Sequence, residues 1–163
     1  MSSLVGMILC CATLAQKKPT SLEKPGAVVH FRHTHERVAR CGVPAGVGAC
    51  QEVRVKASAG TALSLRPVAD PLVTQPTPER SPVQVSIPNS VGTGSAEVRL
   101  EEGTWELAWA DERAAFRVQS GQEFPVLLTT ISGRCSRAAA ACTVHNDGTR
   151  RSVSIRPEFA VSP

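Results

Sequence analysis

From Ser95 to Leu128 the apolar residues fall on every second position: Ala96, Val98 and Leu100, then Trp105, Leu107 and Trp109, then Phe116 and Val118, then Phe124, Val126 and Leu128. The runs are separated by Glu101-Glu102-Gly103, Ala110-Asp111-Glu112 and Ser120-Gly121-Gln122, all polar or glycine-bearing. Side chains of a strand alternate between its two faces, so a period of two broken about every nine residues predicts a strand meander with one face buried.

The same pattern extends towards the N-terminus. Val28, Val29 and Phe31 open an extended run that passes through His30-Phe31-Arg32-His33-Thr34-His35-Glu36 to Val38 and Cys41. A loop with three Gly and one Pro separates Cys41 from Cys50. Val53 and Val55 then mark a second strand, and Leu63 and Leu65 a third after a turn at Ala59-Gly60. Pro67, Pro71, Pro76, Pro78 and Pro82 follow closely. Proline lacks the ladder donor, so 67–82 reads as a linker or surface excursion. Val83, Val85 and Ile87 resume the alternation, and Asn89 to Gly94 is a turn. Ala138 to Ala141 could form one helical turn, and Asn146-Asp147-Gly148 reads as a hairpin turn after His145.

Two segments echo one another. Arg40-Cys41, Cys50, Gly60-Thr61 and Leu63-Ser64-Leu65-Arg66-Pro67 occur in the same order as Arg134-Cys135, Cys142, Gly148-Thr149 and Val153-Ser154-Ile155-Arg156-Pro157. The echo predicts a duplicated hairpin-plus-strand unit at both ends of the sheet sequence. The expected fold is all-β, an antiparallel β-sandwich of about nine or ten short strands with two small disulfide-closed loops. It would occupy residues 26–163, with two small β units, 26–66 and 83–163, as the alternative division.

The N-terminal residues read as a localisation signal. An uncharged apolar run from Leu4 to Ala15 is shorter than the roughly twenty residues of a membrane-spanning helix. Thr13-Leu14-Ala15 suits a signal peptidase, which predicts a signal peptide over 1–15 with Gln16 as the new terminus. No Lys or Arg precedes the run, so the start lies upstream or the signal is atypical. Cys10 or Cys11 offers the alternative of an outer-membrane lipoprotein, although Leu9 is large for such a site. Residues 16–25, with three Lys and two Pro, read as a flexible tether.

Four cysteines remain after cleavage: Cys41, Cys50, Cys135 and Cys142. An even number in an exported chain predicts disulfides and a periplasmic or extracellular location. Proximity favours Cys41 with Cys50 and Cys135 with Cys142, while three connectivities are open. Neither pair has the tight spacing of a zinc site.

Charge is unevenly placed. Residues 97–123 hold seven acidic side chains against three Arg, and 134–156 hold five Arg against Asp147. The asymmetry reads as solvated faces, or as a means to steer an envelope protein or an anionic envelope polymer. Nucleic acid is a poor fit, because the basic stretch has no aromatic residue to stack a base and the chain has no Tyr.

Leu100-Glu-Glu-Gly-Thr-Trp-Glu-Leu-Ala-Trp109, with Phe116-Arg-Val118, Ser120-Gly121-Gln122 and Val126-Leu-Leu128, resembles the prealbumin-like modules of the carboxypeptidase-regulatory and PEGA families. The resemblance covers residues 83–130. It implies a non-catalytic β-sandwich attached to envelope or secreted proteins; the cysteine loops lie outside the family's pattern.

His33 and His35 are the candidate metal ligands. On a strand they share a face about 7 Å apart, a separation that could hold copper, nickel or zinc with Glu36 or His145. The competing expectation is a polar strand edge. Trp105 and Trp109 also share a face; both read as core, with Trp109 the candidate for a sugar-binding platform. There is no G-x-S-x-G and no H-E-x-x-H motif. The expected function is an exported binding or structural module of the cell envelope, without chemistry of its own. The alternatives are a periplasmic metal-binding protein and a secreted protease inhibitor that presents a cysteine-closed loop.

Overall fold

The alternation becomes ten strands in a computed structural model that describes residues 26–43, 48–69, 80–138 and 141–161. The expected signal peptide, tether, Cys10, Cys11 and most of the proline-rich stretch lie outside the described residues. In chain order the strands are β1 (Gly26–Gly42), β2 (Gln51–Lys56), β3 (Thr61–Val68), β4 (Val83–Ile87), β5 (Thr93–Glu101), β6 (Gly103–Trp109), β7 (Glu112–Val118), β8 (Glu123–Ala138), β9 (Ala141–Ile155) and β10 (Ala160–Val161).

They form two five-stranded sheets. The first runs β2-β1-β8-β9, with β5 also paired to β1; the second runs β10-β7-β6-β3-β4. β1 is the axis of the first sheet. Its first half pairs with β5 and its second half with β2 on one side, while β8 lies along its other side.

The two sheets face each other through the residues that the period of two singled out. Ala27, Val29 and Phe31 of β1, Leu100 of β5, and Phe124, Val126 and Leu128 of β8 meet Leu63, Leu65, Val85, Ile87, Trp105, Leu107, Trp109, Phe116 and Val118 of the second sheet. Phe116 packs edge-on against Phe124, with ring centroids 5.8 Å apart. An aligned pair of sheets with interdigitated inner faces is a β-sandwich, as expected.

Several expectations need correction. The sandwich is not wholly antiparallel, because β1 and β8 run parallel from Val28/Glu123 to Arg37/Ser132. Nor are all its strands short: β1, β8 and β9 are 17, 16 and 15 residues long. Residues 95–128 are not a simple meander. β5 and β6 belong to different sheets, and so do β7 and β8; only β6 and β7 form a hairpin. Periodicity tells which face of a strand is buried but not which strand lies beside it.

Division into two units is excluded, since β1 and β3 from the first half pair with β5, β8, β4 and β6 from the second. β3 continues through Pro67, which stands opposite Trp105. Ala138 and Ala141 are strand partners across the β8–β9 connection rather than ends of a helical turn. Asn146-Asp147-Gly148 lies inside β9, where it bulges opposite Gly133.

Candidate functional site: a stapled sheet and a histidine ladder

Beyond the reach of the second sheet, β1, β2, β8 and β9 continue as a distal sheet with little to bury. Val38 and Gly133 are its buried exceptions; most other side chains there are exposed or half-buried. The change happens at one level. β1 shifts register between Val38 and Arg40, and β8 between Ser132 and Arg134, where Gly133 has φ +79°. Bulges increase local twist, and two in adjacent strands bend the sheet as a unit.

The bend curls β2 towards β9 although they are opposite edges of the sheet. Cys50, just before β2, is bonded to Cys142 of β9, and Cys41 of β1 to Cys135 of β8. All four cysteines are therefore in disulfides, but the expected local pairing is overturned. The bonds span 94 and 92 residues and join the two hairpins rather than closing small loops. Where little apolar burial is available, covalent links supply the constraint, as in small domains without a sufficient core.

Glu52 occupies the inside of the curl. Arg150 Nη2 donates to both of its carboxylate oxygens at 2.8 and 2.7 Å, Arg54 Nη2 donates at 3.0 Å, and the Cys135 N–H at 3.3 Å. These bonds tie β2 to β8 and β9. The Arg150 hydrogen bond, opposed by partial burial, holds the Glu52 carboxyl below its ordinary value. On the opposite face, Val53 stands across from Arg40 and Val55 from Arg37. Val53 and Val55 are 38% and 41% exposed, and Val43, just past the end of β1, is 48% exposed.

The histidines sit where the body meets this sheet. β1 is central, so neither His33 nor His35 lies on a strand edge, and His33 is buried at 3% exposure. Each ring has both nitrogens engaged. Nδ1–H of His33 donates to the Ala59 carbonyl and its Nε2 accepts from Thr130 Oγ1 at 2.8 Å. His35 repeats this with the Ser58 carbonyl and Ser132 Oγ, the latter at 2.8 Å. A carbonyl only accepts, which assigns the proton to Nδ1 in both rings. The rings stack with centroids 6.1 Å apart.

This two-rung ladder fastens residues 58 and 59, where the chain crosses from β2 to β3 and so from one sheet to the other, onto β1 and β8. Burial is the main cause that lowers the His33 pKa; the Ala59 carbonyl opposes it, and His35 and Arg151 add to it. Metal binding by either ring would require giving up one of these bonds. Glu36 instead lies near Arg54, and His145 bonds Ser136. Among the described residues no group of three or more His, Cys, Asp or Glu is placed to hold a metal ion.

Trp109 offers no platform. It is 2% exposed, its Nε1–H donates to Thr61 Oγ1 at 2.9 Å, and its ring meets His33 edge-on at 5.2 Å. Trp105 is core as expected, at 3% exposure. The charge asymmetry resolves partly into contacts: Arg151 reaches Asp111 at 2.9 Å, and His30 lies between Glu123 and Glu97. Glu52, Thr130, Ser132 and Ser58 escaped sequence reasoning because their partners are far away in the chain. The repeated alternation of Thr130 and Ser132 opposite that of His33 and His35 was the available signal.

The chain matches no protein-family model, no curated protein and no solved structure. Two disulfides argue for an oxidising, non-cytoplasmic location. No helix among the described residues is long and apolar enough to cross a membrane.

Proposed function

We propose that this chain is an exported, non-catalytic β-sandwich module of the cell envelope, and that its distal sheet is the surface that meets a partner. The observation that carries the reading is the placement of both disulfides. They stabilise the part of the molecule that contributes least to its own core, and they present Val53 and Val55, flanked by Arg37 and Arg40, on a fixed backbone. An apolar patch among guanidinium groups suits a protein or polymer with acidic groups around an apolar contact. His33 and His35 serve the fold, each ring engaged by one backbone carbonyl and one hydroxyl. The resemblance of residues 83–130 to prealbumin-like modules supports the same reading.

Cross-linking in intact cells, with identification of what is captured, tests it. The expected capture is a component of the outer membrane or cell wall, lost in a Val53→Asp, Val55→Asp variant that keeps the parent's stability. Capture that is unchanged in that variant contradicts the surface, and a cytosolic partner contradicts the location.

A further inference from the structure

Arg80 enters the fold just before β4, and its guanidinium is drawn into the edge of the sandwich at the β5–β6 turn. The side chain is 13% exposed. Its Nε is sealed from solvent and has no hydrogen-bond partner among the described residues. The carboxylate beside it, Glu101 Oε2, stands 3.7 Å away, an ion pair beyond hydrogen-bond length. A buried guanidinium with its Nε donor left unmade is a costly arrangement.

The turn is shaped to accept that cation. Gly103 has φ +140°, and a Cβ built on it would lie 2.1 Å from Arg80 Nη1. The backbone favours glycine, and any side chain there would displace the guanidinium. Next to the guanidinium is a recess of about 320 Å3 lined by Arg80, Ser81, Arg99, Glu101 and Trp105.

We propose that this recess binds an oxyanion, a carboxylate or a phosphate group, with the Arg80 guanidinium as its anchor. A planar guanidinium matches both groups through paired N–H donors, and partial exclusion of water strengthens the contact. Ser81 can add a hydroxyl donor, while Glu101 stays on the Nε side. The site lies at the start of β1, where Gly26 pairs with Glu101, and the disulfides lie near that strand's other end. It therefore stands or falls separately from the surface proposed above.

The test is an amide NMR titration of the full disulfide-bonded chain with inorganic phosphate and, separately, with acetate, each against sodium chloride at equal ionic strength. The expected result is saturable shifts confined to residues 80–83 and 99–105, with affinity reduced about tenfold or more in Arg80→Gln. Arg80→Lys, which keeps the charge but loses the fork, is expected to weaken binding by a smaller factor and serves if the glutamine variant does not fold. Saturation by phosphate alone identifies a phosphate-bearing ligand, and by acetate alone a carboxylate-bearing one. Failure of both anions to saturate, shifts that chloride reproduces, or unchanged binding in both variants overturns the site.

Discussion

Cys41 and Cys135 are bonded to each other, and they hold equivalent places in the two echoing segments of the chain. The second bond repeats the relationship, since Cys50 and Cys142 are also equivalent. The duplicated hairpins β1–β2 and β8–β9 are thus joined like to like. This geometry makes the two bonds interdependent. With one closed, the other restricts a ring of only about eighteen residues, worth ~3 kcal/mol by chain entropy; the first closure restricts about ninety and is worth ~4–5 kcal/mol. Urea unfolding is expected to show a loss of ~3 kcal/mol for Cys41→Ser, Cys135→Ser or for Cys50→Ser, Cys142→Ser alone, and ~8 kcal/mol when both bonds are removed. Strictly additive losses would contradict the shared-ring arrangement.

The His33 ladder predicts acid sensitivity before the carboxylates titrate. Burial holds the folded pKa of His33 below its ordinary 6.5. In the window from about 6.5 down to that folded value the unfolded chain binds a proton that the folded chain does not. Stability is therefore full above this window, declines as pH falls through it, and has lost the whole contribution below the folded pKa. His35 and Arg151 face the ring and reinforce the effect. His33→Gln keeps an N–H donor and an oxygen acceptor but does not titrate. Urea midpoints measured between pH 8 and 5 should slope in the parent and flatten in this variant; equal slopes would remove His33 as the cause. Glu52, held low by Arg150, adds its own loss only as pH falls below its ordinary 4.5.

Burial of both tryptophans gives a direct optical prediction. Trp105 and Trp109 are 3% and 2% exposed and are the chain's two tryptophans. Native fluorescence should be poorly quenched by iodide and should become accessible on unfolding. Efficient native quenching would restore the platform that the alternation left open for Trp109.

Gly133 and Gly121 have nearly the same backbone, φ +79° and +78°, in different surroundings. A Cβ at 133 would lie 2.9 Å from the His145 carbonyl oxygen, whereas nothing lies within 4 Å of one at 121. Gly121→Ala should cost about 1–2 kcal/mol, the left-handed backbone alone. Gly133→Ala should cost measurably more, because the bulge that bends β8 must shift. Equal thermal midpoints for the two variants would show that the bulge is not tightly packed.

Much of the sandwich was legible in the chain. The alternation at Trp105, Leu107 and Trp109, or at Phe124, Val126 and Leu128, marks residues that the structure buries, and the glycine-bearing breaks mark turns. Neighbours were not legible. A period of two is satisfied whether β5 and β6 pair or face each other across the core, and Gly103 with its positive φ sends them to opposite sheets. His33 lies on the face that Val29 and Phe31 predict, yet its burial depends on Ala59 and Thr130, residues 26 and 97 positions away. The disulfide pattern was misread because proximity in sequence was weighed above the echo, which places the bonded cysteines in register.

The disulfide pairing is the claim on which the stapled sheet depends, and a tryptic digest without reduction tests it most directly. Cys41 and Cys50 share the peptide 41–54, Cys135 lies on 135–137 and Cys142 on 138–150. The account predicts one covalent assembly of these three peptides, with fragmentation that shows Cys41 joined to Cys135 and Cys50 to Cys142. Recovery of 41–54 alone with an internal bond, beside 135–137 joined to 138–150, would contradict it.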